Sequence, residues 1–592
     1  MEFSRVHISV GQTNLHCPLC VGPLGREERD VLRYDAIKMS TPVRARDNVF
    51  SRREIEGMLA DGKLIIIVDG NVLRLDSWIK YHPGGDMAIK HMIGKDATDE
   101  VNALHSQEAR QRMSKFQIGR IEGRWTNFLP PIQGGEFRPL IENEIVEEDL
   151  VSSELSSEEI SAPPSPIFEA EDDRLGLRRR LSVSTISSAV SAVPPPTDTK
   201  SRAYVIDART QEEIELDASK YPPLDAEHQE YITKKYRELH HRIRAAGLYN
   251  CNYTAYAIEI SRYTLFFGLF VFFLKQSWFC TSAFFLGCFW HQLVFSAHDA
   301  GHMGITHNYQ IDTTIGMIIA DYLGGLSLGW WKRSHNVHHI VTNAPEHDPD
   351  IELMPFFALS HRFFSSLRST YYDRIMEFDA VAKITVKYQH YLYYPILLFG
   401  RFNLYFLSWE HIIVGRGPKH GAGWWHRWFE FAGHIFFWIW FGYGVVWCSI
   451  PTWFSRVVFV LISHMVTSPL HVQITLSHYA MSTADLGPLE SFPQKMLRTT
   501  MDVDCPPWLD FFHGGLQFQA IHHLYPRIPR HNLRKTQQFV REFCEDVNIP
   551  YAVFTFYDGN KEVIGRLAHV ARQAKLLEEC RKACAADPHH MH

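Results

Sequence analysis

The sequence predicts a multidomain chain: a small N-terminal α+β domain, a disordered linker, and an all-α membrane part. About four transmembrane helices are expected in that last part, with a histidine-rich metal site capping one end. Three observations carry this prediction. The mean hydropathy of −0.17 averages two unlike halves, a charged first part and a stretch from 254 to 480 dense in Phe, Trp, Leu and Ile. Four segments within that stretch approach the roughly 20 apolar residues needed to cross a bilayer. Three histidine clusters flank those segments: His298-Asp299-Ala300-Gly301-His302, His335-Asn336-Val337-His338-His339 and Gln519-Ala520-Ile521-His522-His523.

Residues 1–47 read as an N-terminal leader. Within it Cys17-Pro18-Leu19-Cys20 is a half-site for zinc or redox chemistry without a companion pair. No charged-then-apolar leader is recognisable, so no cleaved signal peptide is expected. The scattered cysteines fit thiols kept reduced on a cytosolic face. Residues 48–123 form the small domain. Leu64-Ile65-Ile66-Ile67-Val68 is a strand, Asp69-Gly70 supplies the turn, and Val72-Leu73-Arg74-Leu75 returns. Helices are expected around His91 and from Ser106 to Gln117.

Residues 124–203 are expected to be a disordered linker, acidic and Pro/Ser-rich, unable to bury enough apolar surface to offset ordering entropy. Its run Arg178-Arg179-Arg180-Leu181-Ser182 has the form of a basophilic kinase site, although a solvated charge run is the plainer reading. Residues 204–250 are juxtamembrane. There Ile232, Tyr236, Leu239 and Ile243 recur at helical spacing, as expected for an amphipathic helix leading into the membrane. The membrane domain takes 251–560, and 561–592 forms a C-terminal helix and tail.

The expected spans are 256–274, 279–297, 428–450 and 456–475. The first is weakened by Glu259 and Arg262. Residues 391–414 and 315–331 are read as interfacial or packed on protein, because they hold Arg401, Asn403, Glu410 and Asp321. With four crossings, all three clusters and the N-terminal domain share one side. The loop from 298 to 427 is rich in Lys and Arg, whereas Lys275 is the sole basic residue of segments 275–278 and 451–455. The positive-inside rule then makes the cluster side cytosolic. A net charge of −6, with no basic stripe, excludes a nucleic-acid partner.

His298 and His302 fall on one helix face, and His335, His338 and His339 converge likewise. Imidazole suits iron, copper, zinc or nickel, and at least seven such ligands would serve two ions. His464, His471 and His478 share one face of the last span, with His464 expected to be a hydrogen-bonded core residue. His291, His347 and His513 are expected to be structural or supporting, and Asp299 to orient a ligand histidine. In the small domain, the Pro83-Gly84-Gly85 turn can present His82, and a following helix His105. Two imidazoles on a haem iron leave no open site for oxygen, which suits single-electron transfer.

Residues 48–123 resemble a cytochrome b5 domain through Trp78, Tyr81-His82-Pro83-Gly84-Gly85, Gly94, Asp96-Ala97-Thr98 and Ala103-Leu104-His105-Ser106. That resemblance implies haem b with His82 and His105 as axial ligands. From about 250 to 560 the chain resembles membrane desaturases of fatty acyl and sphingolipid chains. Asn336 in the second box, the run Gly514–Gln519 and the tail Leu524–Leu533 carry the match. The fused haem domain, and Gln519 in place of histidine, mark the front-end subgroup. Gly329-Trp330-Trp331-Lys332 and Thr342–Asp350 are most similar to the fungal delta-8 sphingolipid desaturases.

The resemblance implies two non-haem iron ions held by His298, His302, His335, His338, His339, His522 and His523. It also implies an extra ligand, with His478 fitting best, while Gln519 could bind metal through its carbonyl or hold a water. It further implies O2 as co-substrate, a ceramide-type lipid cut at carbons 8 and 9, and electrons from an NADH-dependent cytochrome b5 reductase. The location implied is the endoplasmic reticulum membrane, with the haem domain and boxes cytosolic. A front-end fatty acyl desaturase and a lipid hydroxylase share the boxes and stay open. An electron carrier without enzyme activity would leave three clusters unexplained.

Overall fold

A computed structural model describes residues 45–140 and 198–586. The Cys17/Cys20 pair, the Arg178–Ser182 run and residues 141–197 lie outside the described residues. The N-terminal domain is built on strands β1 (Val49–Phe50), β2 (Ile65–Val68), β3 (Asn71–Arg74) and β4 (Gln117–Ile121), in the order β1-β4-β3-β2. β2 and β3 form an antiparallel hairpin, with Val68 opposite Asn71. Its two-residue turn needs positive φ at both positions, and Asp69 (50°) and Gly70 (73°) supply it.

Strand alternation divides the interior. Ile65 and Val72 point into a cluster with Ile55, Leu59 and Ile93. Ile66, Val68 and Leu73 point the other way, into a cluster with Ala97 and Val101 that continues into Val337, Ile340 and Val341 of the membrane domain. The N-terminal domain is thus docked, and its outer core is completed by another part of the chain.

The expectation of a disordered linker beginning at 124 fails for its first residues. Trp125 donates its indole N–H to Gly94 O at 3.1 Å, Arg52 lies 3.9 Å from the Phe128 ring centre, and Phe137 joins the Ile55 cluster. Three aromatics bury enough surface to hold this segment on the domain. At the other end, helix Asp198–Lys220 begins inside the expected linker.

Among the described residues, four helices are long and apolar enough to cross a membrane: Tyr253–Lys275, Phe279–Gly301, Gly421–Ser449 and Trp453–Tyr479. The two intervening segments pack on protein along one face, while Phe406 and Ile413 are exposed. Arg401, in helix Gly400–Val414, donates to Gly324 O at 2.6 Å and lies 4.3 Å from the Trp290 ring centre. Asp321 is buried, 3.2 Å from His434 Nδ1. Glu259, the residue that weakened the first span, is paired with Arg530 and with His531 at 3.0 Å.

Helix Ala226–Ala245 corrects a second expectation. Ile232, Tyr236, Leu239 and Ile243 are buried against Phe518, Ile521, Leu524 and Tyr525 rather than turned toward lipid. The Tyr236 hydroxyl donates to Leu524 O at 2.8 Å. An apolar stripe requires a nonpolar neighbour, and here the protein provides it. This helix braces the short third-box helix Gln519–Leu524.

Candidate metal centre and haem cleft

His82 follows a 3-10 turn over Ile79–Tyr81, and its Nδ1–H donates to Gly85 O at 2.7 Å. His105 caps helix Thr98–Leu104, with Nδ1 3.3 Å from Val101 O. Those bonds fix each ring and leave Nε2 of each for the cleft. The ring centres stand 5.9 Å apart. Burial lowers both pKa values, His105 to about 3, so both imidazoles are neutral and able to ligate. The cleft, ≈990 Å³, has apolar walls at Ile66, Leu73, Leu75, Ala97, Val101 and Leu104. A flat apolar macrocycle with two axial imidazoles fits these residues.

The histidine clusters converge from four helices. His298 and His302 stand at the end of span Phe279–Gly301, and His335, His338 and His339 on Leu328–Val341. His522 and His523 stand on Gln519–Leu524, and His478 at the end of Ser468–Tyr479. Two groups result. His298, His302, His335 and His522 bring ligand atoms within 4.8 Å of one another, and so do His338, His478 and His523. His339 lies at the seam: its Nε2 is 3.1 Å from His335 Nε2, and its ring centre is 4.3 Å from that of His523.

Nε2 of His302, His522 and His523, Nδ1 of His339 and His478, and Oε1 of Gln519 are buried without a hydrogen-bond partner. Buried polar atoms are nearly always paired, so a knot of such acceptors marks a site shaped for cations. Burial, followed by the neighbouring imidazoles, holds His339, His522 and His523 far below the usual histidine range. His478 groups directly with His338 and His523; for Gln519 the structure shows the buried, unpaired amide oxygen.

Two carboxylates missing from the sequence reading support the second box. Asp348 Oδ2 accepts from His338 Nδ1 at 2.9 Å, and Asp350 Oδ2 lies 3.8 Å from His335 Nδ1. Burial alone would lower His338, but Asp348 and then Asp350 raise it to about 9. Asp299, expected to orient a histidine, is instead bound by Arg530 and Tyr256, since the guanidinium is the stronger partner for a buried carboxylate. His464 is the expected core residue, 2.7 Å from Val460 O and 3.1 Å from the Tyr405 hydroxyl. His347 Nδ1 is 3.1 Å from Thr370 Oγ1, and His291 stacks on Phe512 with ring centres 5.1 Å apart. His513 packs beside Phe512 and Phe556.

The haem domain sits on the second-box helix. Asn336, next to His335, donates Nδ2–H to Gly84 O at 3.4 Å, and Arg333 is 3.4 Å from Asp86. A Cβ at Gly84 would lie 3.0 Å from Asn336 Nδ2 and 2.9 Å from the His82 ring, so glycine permits this approach. Arg237 to Asp99 (2.8 Å) and Asn127 to Pro488 O (3.0 Å) extend the interface. His302 and Asn336 line the same cavity as His82 and His105.

A haem-type cleft docked on a histidine-lined site at the end of four apolar helices defines a multipass membrane desaturase with a fused cytochrome b5. Residues 275–555 match the fatty acid desaturase model, and 51–122 the cytochrome b5-like heme/steroid binding domain. The chain belongs to the desaturase family, in its form with a fused cytochrome b5, for which haem and a di-iron centre are the cofactors. It is 69% identical over 540 residues to the delta 8-(E)-sphingolipid desaturase of Emericella nidulans, covering 91% of this chain and 97% of that one. The protein of that name from Kluyveromyces lactis is 50% identical over 543 residues, covering 90% and 94%. The acyl-lipid (9-3)-desaturase of Borago officinalis is 38% identical over 291 residues, covering 49% and 63%.

Proposed function

We propose that this protein introduces the 8,9 double bond, in the E configuration, into the sphingoid long-chain base of ceramide-type lipids, using O2. The observation that carries the reading is the shared cavity, in which His82 and His105 face a space that His302 and Asn336 also line. In this reading a one-electron carrier and an oxygen-activating site adjoin one another. The regiochemistry and the lipid class rest on the relatives named for them, whose similarity spans both parts of the chain. The plant acyl-lipid relative, which would favour a fatty acyl substrate, matches about half.

His82 and His105 are the proposed axial ligands of haem b. His298, His302, His335, His338, His339, His478, His522 and His523, with Gln519, are the proposed ligands of two iron ions. Those ions, when bound, would supply the oxidising chemistry that removes two hydrogens from adjacent carbons. The chain's own residues do the rest. Asp348 and Asp350 orient His338 and His335, Trp331 stacks on His335 at 4.4 Å, and burial excludes water. Arg333, Asn336 and Arg237 hold the haem domain in register. A membrane-bound NADH-dependent cytochrome b5 reductase is the proposed electron donor. The endoplasmic reticulum is the proposed location, with the histidine face cytosolic.

The test is lipid mass spectrometry of long-chain bases after expression in a host lacking 8-unsaturated bases. New 8,9-unsaturated base is expected from the intact chain and none from His335→Ala. Unsaturated fatty acyl chains with unchanged bases would refute the substrate, and hydroxylated bases would refute the reaction.

A further inference from the structure

A second cavity of ≈430 Å³ lies between the haem domain and the membrane helices, with Asp86, Tyr309, Thr313, Lys332, His426 and Glu430 in its wall. Two of these are buried titratable groups outside the histidine clusters, and Lys332 also lines the haem cleft. Lys332 is 8% exposed and makes no ion pair among the described residues. Its ammonium reaches Thr313 Oγ1 at 3.4 Å and lies 5.1 Å from the Tyr309 ring centre. Burial lowers its pKa to about 8; Asp312 offsets part of this through space, but its carboxylate is taken by Thr306 and by backbone N–H groups. Glu430 is 2% exposed, and its hydrogen bonds fall on one oxygen, from Gly329 N at 2.6 Å and Ser327 Oγ at 2.9 Å. A buried ammonium with one weak hydrogen bond, in the same cavity wall as a carboxyl group with an uncommitted oxygen, is costly without a ligand.

We propose that this cavity binds the hydroxyl-bearing polar end of the sphingoid base, with Lys332 donating to its oxygens and Glu430 accepting from its hydroxyls. The inference rests on the substrate class proposed above and names how that class is selected. A hydroxyl both donates and accepts, so it can pair with an ammonium and with a carboxyl group. The ester or thioester end of a fatty acyl lipid has acceptors alone and brings no donor to the Glu430 oxygen that Gly329 and Ser327 leave free.

The experiment uses the full chain with haem and iron in lipid vesicles with reductase, comparing ceramide with 1-deoxyceramide and 3-deoxyceramide. The wild type is expected to favour ceramide at least about tenfold in kcat/KM, mainly through KM. Glu430→Gln and Lys332→Met should bring that ratio to within about twofold, with an unchanged haem spectrum. Variants that keep the full preference, or a wild type that uses deoxyceramides equally, would overturn the pocket while leaving the 8,9-desaturase reading intact. A wild type that makes no 8-unsaturated base would overturn both. Should a variant lose its haem spectrum, the thermal shift of wild-type protein decides: ceramide must raise Tm, and deoxyceramides at equal concentration must not.

Discussion

Replacing Asp348 with Asn would remove one negative charge from the second-box support while nearly keeping its shape. In the native site Asp348 accepts from His338 Nδ1 at 2.9 Å, where the His338 and Asp348 side chains are 2% and 0% exposed. It also accepts from Asn343 N at 2.7 Å and Asp350 N at 2.9 Å. With its amide oxygen in place of Oδ2, asparagine keeps the bonds from His338 and Asn343 and loses the one from Asp350 N, which falls on Oδ1. What disappears is charge assistance to the imidazole, worth about 1.5–3 kcal/mol. At about 1.4 kcal/mol per tenfold, metal affinity should fall by about 10–100-fold. His338 groups with His478 and His523 and not with the other four, so one of two iron ions should loosen first. Iron per haem measured against rising chelator should show two steps in Asp348→Asn, with the first moved to lower chelator. A titration superimposable on the wild type, or equal weakening of both ions, would refute the assignment of Asp348 to one half of the site.

Arg530→Met should destabilise the protein by about 3–5 kcal/mol, because Glu259 and Asp299 would remain buried without their guanidinium; a loss below about 1 kcal/mol in thermal unfolding would contradict this. The protein should lose stability as pH falls below 6.5. His240 and His347 are held down by burial to about 3 and about 4, so the unfolded chain takes up protons that the folded one refuses. Their contribution is complete above pH 6.5 and is lost as pH falls toward 3–4, by about 2 kcal/mol each at pH 5; a Tm at pH 5 equal to that at pH 7.5 would count against it. Arg237→Glu should place like charges at Asp99 and raise amide exchange in Thr98–Leu104. Because Arg237 is half-exposed, the cost should stay near 1 kcal/mol or below, and pairing it with Asp99→Arg should reverse it.

What could be read from the sequence was local. The Asp69-Gly70 hairpin, the His82 turn and the i, i+3, i+4 spacing of the second box each declare themselves within a few residues. What could not be read depended on distant partners. Asp348 reaches His338 across ten residues because Asn343 turns the chain at a positive φ of 57°. Asp299 looked like a histidine's partner because Arg530 lies 231 residues away. The stripe Ile232–Ile243 revealed an apolar face but not whether lipid or protein would cover it. Trp125, Phe128 and Phe137 were overlooked because they border a segment whose composition favours disorder.

Helix Leu328–Val341 turns its histidines to one side and Arg333, Asn336, Val337 and Ile340 to the haem domain on the other. The surface on which an outside carrier of the same fold would land is therefore occupied by a domain of the same chain. Such a carrier would have to displace a tethered competitor before it could approach. Gene fusion thereby matches the two domains one to one.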